Sequence, residues 1–270
     1  MQSTHFYQTK NQSKMNRYLF SEFKTNEFQA LSHVLCSIFD TNPQELDSLY
    51  NCLRGTFNCP GYTTHTISRS FFKSQDEFFQ KLYCQSPAVG VDLPSLLEQD
   101  NGTLDKVTVA VVGQDPKRNK SNEEILVGTP YGLHLKGCRE EYFRTKLYFE
   151  FIKVICELGY RVYLTDIFKV WVCDIEHQYQ GLKLSRKDQE RLLKILKPEL
   201  EVFQPKVIIT WGKVSGRIIG NLELGINHIE FPHPSGAANH AWKSLIGQSL
   251  SQTNKINFWK LEIARLLEAQ

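Results

Sequence analysis

The stretch KVTVAVVGQDP, Lys106 to Pro116, decides how this chain is read. Val107, Val109, Val111 and Val112 are β-branched, Thr108 and Ala110 lie between them, and no charge interrupts the run. A short apolar run ending in glycine is the pattern of a parallel strand buried on both faces. Gln114 and Asp115 then stand where the strand ends, and Pro116 breaks the extended ladder. The same pattern recurs in RVYLTD (161–166), KVIITWG (206–212) and NHIEFPHP (227–234). Helical periodicity fills the gaps: REEYFRTKLYFEFIKVICEL at 139–158, a charged helix at 185–203, a short one in VSGRIIG, and two closing helices at 238–247 and 254–268. Strands alternating with helices predict a three-layer α/β/α fold with a central four-stranded parallel sheet.

Upstream the pattern differs. Residues 1–20 are polar and are expected to form a flexible N-terminus. Residues 21–104 are expected to be a helical N-terminal region of no assigned role, and 105–270 the α/β domain. Phe28, Leu31, Val34, Leu35 and Ile38 fall at helical intervals. Asn42 and Pro43 cap and start a second helix. Ser74 and Glu77 are spaced as the capping box of a third. Residues 54–73 are expected to be an irregular connection.

The chain has 270 residues, 41% hydrophobic and 23% charged, enough to bury a core. A net charge of +3 permits a nucleic-acid partner without requiring one. Seven scattered cysteines with no CxxC pair point to reduced thiols in a cytoplasmic protein (nuclear in a eukaryote). No apolar run has membrane-spanning length.

Four polar clusters fall at predicted strand ends: GQDP, TDIF, TWGK and PHPSG. In an open α/β sheet the binding crevice forms at that edge. Packing does not explain why one edge collects Gln114, Asp115, Asp166, His233 and Ser235. Two prolines flank His233 and fix its backbone.

VVGQDPKR together with FPHPSGAANHAW resembles the uracil-DNA glycosylase superfamily, whose members carry GQDP after the first strand and HPS after the last. VIITWGK and TPYGLHL are similar to further segments of that family. The resemblance covers about residues 105–245. It implies a monofunctional DNA glycosylase that flips out a base, hydrolyses its N-glycosidic bond and leaves an abasic site. Asp115 would stabilise the cationic sugar and position water. His233 would donate to the departing base. Gln114, Lys117, His134, Leu135, Thr165 and Asp166 would surround the base. Arg118, Lys120, Arg144, Lys146, Ser235, Gly236, Asn239 and His240 would contact DNA. No metal or cofactor is implied. The expected partner is DNA containing a modified or deaminated base, bound by a monomer.

The pocket departs from the family. Lys117 replaces an aromatic gate beside the base C5 position. Leu135, after His134, stands where an aromatic residue stacks. FRTK, with Arg144 and Lys146, replaces a Pro-rich serine loop. Thr165 or Asp166 replaces an Asn, and the register between the two stays open. An ionised Asp accepts only, which suits a cytosine amine better than uracil O4. The expected substrate is therefore a 5-substituted cytosine, such as the bulky glucosylated hydroxymethylcytosine of phage DNA, in an antiviral role. The alternatives are uracil excision in repair and, from another class, a non-catalytic module that binds a modified base. A Rossmann enzyme fits less well, for lack of GxGxxG or a P-loop.

Overall fold

The computed structural model describes residues 17–103, 105–118, 121–177, 180–247 and 250–268. Strand β1 (Tyr18–Phe20) leads into helices α1 (Thr25–Cys36) and α2 (Pro43–Phe57). Then come β2 (His65–Ile67), α3 (Glu77–Gln85), β3 (Val89–Asp92) and β4 (Ser95–Gln99). The remainder runs β5 (Thr108–Gly113), β6 (Ile125–Gly128), α4 (Lys136–Glu140), α5 (Phe143–Glu157), β7 (Arg161–Asp166) and β8 (Val170–Val172). It continues with α6 (Arg186–Phe203), β9 (Val207–Trp211), α7 (Lys213–Asn221), β10 (Asn227–Phe231), α8 (Asn239–Ile246) and α9 (Gln252–Glu268).

The fold is mixed α/β and broadly three-layered. The four anticipated strands form a parallel centre in the order β7-β5-β9-β10. The sheet does not stop there. β4 adds antiparallel to β7 and β1 antiparallel to β4, giving six strands rather than four. The sequence hides β4 because SLLEQ follows a proline and carries Ser, Glu and Gln, residues that fit strands poorly. A second, four-stranded sheet has the order β2-β6-β3-β8. Residues 21–104 are therefore not purely helical, and the connection at 54–73 contains β2. These strands are three to five residues long, too short to carry a period-2 signal.

Alternation assigns the faces of the main sheet. Trp211 on β9 packs against Phe151 of α5 and Trp259 of α9. On the opposite face Tyr163 of β7 stacks on Phe203 of α6, with ring centroids 3.9 Å apart. Arg161 of β7 pairs there with Glu27 of α1.

Asn42 caps α2 as its sequence indicates, accepting from the N–H groups of Gln44 and Glu45. The capping box expected at Ser74 and Glu77 is not formed. Asp76 caps α3 by accepting from the Phe79 N–H. The Ser74 hydroxyl instead donates to the fully buried Asp188, a carboxylate that needs donors more than the helix end does.

Beneath the sheet lies a fully buried ion pair. The Lys169 ammonium, in the β7–β8 connection, is 2.7 Å from the Glu199 carboxylate of α6. It also donates to the Thr165 hydroxyl at 3.0 Å and the Asp166 carbonyl at 2.8 Å. Glu199 accepts from Tyr163 at 2.8 Å and Thr165 at 2.5 Å. Replacing Lys169 with Met leaves Glu199 charged and buried, and should cost about 3–5 kcal/mol in urea unfolding. Adding Glu199→Gln, which keeps an acceptor for both hydroxyls, should recover part of that loss.

Candidate active site

β5 and β7 end side by side, with Gly113 paired to Asp166. Next in the row stands Trp211, paired to Phe231. Alternation puts these four on the α5 face. The loops beyond are tied together: the Ile167 N–H donates to the Gly113 carbonyl at 3.1 Å, and the Phe168 N–H to that of Gln114 at 2.9 Å. A Cβ on Gly113 would come within 2.2 Å of the Asp166 carboxylate and 2.7 Å of the Tyr131 hydroxyl. Only glycine permits that close approach.

Asp115 is half-buried at the crevice mouth. The Gln114 amide donates to its carboxylate at 2.7 Å. Burial holds the Asp115 carboxyl above its usual range, opposed by that hydrogen bond and by Lys117. Gln114 thus spends its side chain on Asp115 and its carbonyl on Phe168.

His233 lies two residues beyond β10. β9 separates its strand from that of Asp115, so about 10 Å lies between the two strand ends. The Ser235 N–H donates to His233 Nδ1 at 3.3 Å, and the Ser235 hydroxyl lies 2.7 Å from the same atom. A nitrogen that accepts a backbone N–H carries no proton, so the ring proton sits on Nε2. Burial, then the Lys255 charge, lowers the His233 pKa and keeps the imidazole neutral. The loop is held from behind. Trp242 Nε1 donates to the His233 carbonyl at 2.9 Å, and Lys255 donates to the Pro234 carbonyl and the Asn239 side chain at 3.2 and 3.0 Å.

The register left open at 165–166 is settled. Thr165 turns to Glu199 and Lys169 on the α6 side, away from the crevice. Asp166 turns to Gly113 and Tyr131. Its surroundings oppose ionisation. Burial first, then the negative charges of Asp92 and Asp115, push the Asp166 carboxyl well above its usual range, against Lys169 and Arg118. These surroundings favour the protonated carboxyl, which is both donor and acceptor, over the acceptor-only carboxylate.

Other expected site residues are spent internally. Arg118 does not reach outward. It pairs with buried Asp92 of β3 and donates to the Val91 and Pro116 carbonyls at 3.2 and 3.0 Å. His134 is buried beside Thr129, and burial pushes its pKa down to about 3. It approaches Gly128 on the second sheet, next to Arg118 and Asp92. Leu135 is half-buried and begins α4. Ser235 is engaged by His233, which competes with a phosphate role. Lys117, Arg144, Lys146, Gly236, Asn239 and His240 are exposed. Lys120 lies outside the described residues.

Sequence reasoning missed Asp92, Tyr131, Tyr148 and Lys255. Tyr131 stacks on Tyr148, centroids 4.6 Å apart and planes 13° apart, and Tyr148 meets the His233 ring edge-on at 5.6 Å. Tyr131 sits within TPYGLHL, the one signal that pointed toward it. No protein-family model and no curated protein sequence matches this chain.

Asp166 predicts a pH effect on stability. Its folded pKa lies above its unfolded value, so the folded state holds more protons between the two. Stability must fall as pH rises from about 4, the unfolded carboxyl pKa, through the elevated folded value. Thermal melts across pH should show this loss, and Asp166→Asn should reduce it and raise the melting temperature at pH 8.

Proposed function

We propose that this chain is a monofunctional DNA glycosylase acting on a pyrimidine that has been extruded from the stack. The supporting observation is the pairing, at one sheet edge, of a half-buried carboxylate on β5's loop with a neutral, Nε2-protonated histidine on β10's loop. Hydrolysis of an N-glycosidic bond breaks C1′–N while water bonds to C1′. Positive charge grows on the sugar and negative charge on the base. Asp115 stabilises the first and holds the water. His233 Nε2–H donates to the base oxygen and stabilises the second. Lys255, close behind the loop, adds positive potential at the same end.

When protonated, Asp166 meets either pyrimidine edge. Its O–H serves uracil O4 or cytosine N3, and its carbonyl oxygen accepts from uracil N3–H or the cytosine amine. Selection for cytosine over uracil thus does not follow from Asp166. Exposed Lys117, in place of an aromatic gate, still favours a base substituted at C5. Glucosylated hydroxymethylcytosine is the proposed substrate and uracil the alternative.

Duplexes carrying one uracil or one glucosylated hydroxymethylcytosine, assayed for abasic sites, test the reading. Asp115→Asn should bind DNA normally and release little base. His233→Ala should lose about 10²–10³-fold in rate. Asp115 must be ionised to act, so release should rise with pH through its elevated pKa, and Asp115→Asn should flatten that limb. Normal rates in both variants would refute the assignment.

Arg144 and Lys146 are, among the described residues, the exposed cations expected to contact DNA. If each meets one phosphate, their double alanine variant should flatten the slope of log affinity against log salt by about 2. An unchanged slope returns them to ordinary solvated surface.

A further inference from the structure

Tyr131 combines three features that packing alone does not explain. Its backbone has φ +62°, in the left-handed region that a bulky residue rarely adopts. Its hydroxyl is buried with no hydrogen-bond partner among the described residues. Its ring fills a flat space. Tyr148 is parallel to it at 4.6 Å, Trp211 closes the side at 4.9 Å, and side-chain-free Gly113 lies beneath. The Trp211 Nε1–H, in the wall of the same space, is likewise buried without a partner. Strained backbone and unsatisfied buried donors persist where a site is built for something else.

We propose that Tyr131 is the resident occupant of a one-ring binding slot, walled by Tyr148 and Trp211, floored by Gly113 and closed at its inner end by Asp166, whose ligand is a planar six-membered heterocycle with a hydrogen-bonding edge. A phenol has the ring size of a pyrimidine. It stacks as one would on Tyr148 but brings only a single hydroxyl to the polar end, where that group stays unpaired. A pyrimidine brings adjacent donor and acceptor atoms, which Asp166 satisfies. Binding therefore exchanges a poorly matched ring for a well matched one and lets residue 131 leave its strained conformation. The exchange also gates the slot: a base must out-compete Tyr131 before it enters beside His233, whose ring meets Tyr148 edge-on. The inference rests on the glycosylase reading for the identity of the heterocycle.

Removing the occupant should tighten binding of a free base by the inverse of the open fraction, at least about tenfold if the open state is a tenth populated or less. Tyr131→Gly suits the left-handed backbone, and Tyr131→Phe keeps the ring. Titrating each folded variant with free uracil and free cytosine by calorimetry should give tighter binding to Tyr131→Gly than to the unmodified chain, and none tighter to Tyr131→Phe. Equal binding by Tyr131→Gly and the unmodified chain would overturn the slot. A second measurement needs no variant. Nitration of Tyr131 by tetranitromethane, mapped by mass spectrometry, should rise when a duplex with uncleavable 2′-fluorodeoxyuridine is added, and unchanged or reduced nitration counts against displacement. A chain that releases no base from any duplex, yet binds free uracil better as Tyr131→Gly, keeps the slot and loses the glycosylase. The reverse result keeps the glycosylase and loses the slot.

Discussion

The buried pair between Lys169 and Glu199 sets the geometry on which the crevice depends. Two charges removed from water are tolerated only when each finds several partners. Lys169 finds them on Thr165 and Asp166, the last two residues of β7, and Glu199 finds them on Tyr163 and Thr165. The pair thereby clamps the end of β7 to α6. Thr165 is drawn to the α6 side, and strand alternation sends Asp166 to the other. A slip of one residue would exchange the two and remove the carboxyl from the crevice.

The second sheet supplies the other half of the scaffold. A Cβ on Gly90 would lie 2.4 Å from the Pro116 carbonyl oxygen, and one on Gly128 would meet His134, Arg118 and Asp92. These glycines let the GQDP loop press directly onto β3 and β6. Arg118 then bolts the loop to Asp92. Fixed placement of a charged group before reaction is what electrostatic catalysis requires. An arginine that looks from the sequence like a phosphate contact serves that placement.

Concentrating acids at one place has a cost. Asp92 opposes the ionisation of Asp115 and Asp166, and Asp115 opposes that of Asp166, with Arg118 and Lys169 as the countercharges near Asp166. The Asp166 carboxyl is pushed well above its usual range, while the rise at Asp115 is opposed by Gln114 and Lys117. Two carboxyls of the same residue type are thus raised to different extents because their surroundings differ. The Tyr131 and Trp211 donors, without partners among the described residues, are a further cost at the same place.

The parallel centre of the sheet and the polar residues at its carboxyl edge were legible in the sequence, because buried parallel strands need unbroken apolar runs and Asp115 and His233 stand directly after such runs. Asn42 with Pro43 likewise announces a helix start through local hydrogen bonding alone. The antiparallel strands β1 and β4 and the whole second sheet were not legible, since strands of three to five residues take their stability from neighbours rather than from their own pattern. The raised pKa of Asp166, the inward turn of Arg118 and the ring of Tyr131 over Gly113 were decided only in three dimensions. Each depends on desolvation and on contacts between segments tens of residues apart, and a side chain's charge and direction are set by what surrounds it, not by what precedes it in the chain.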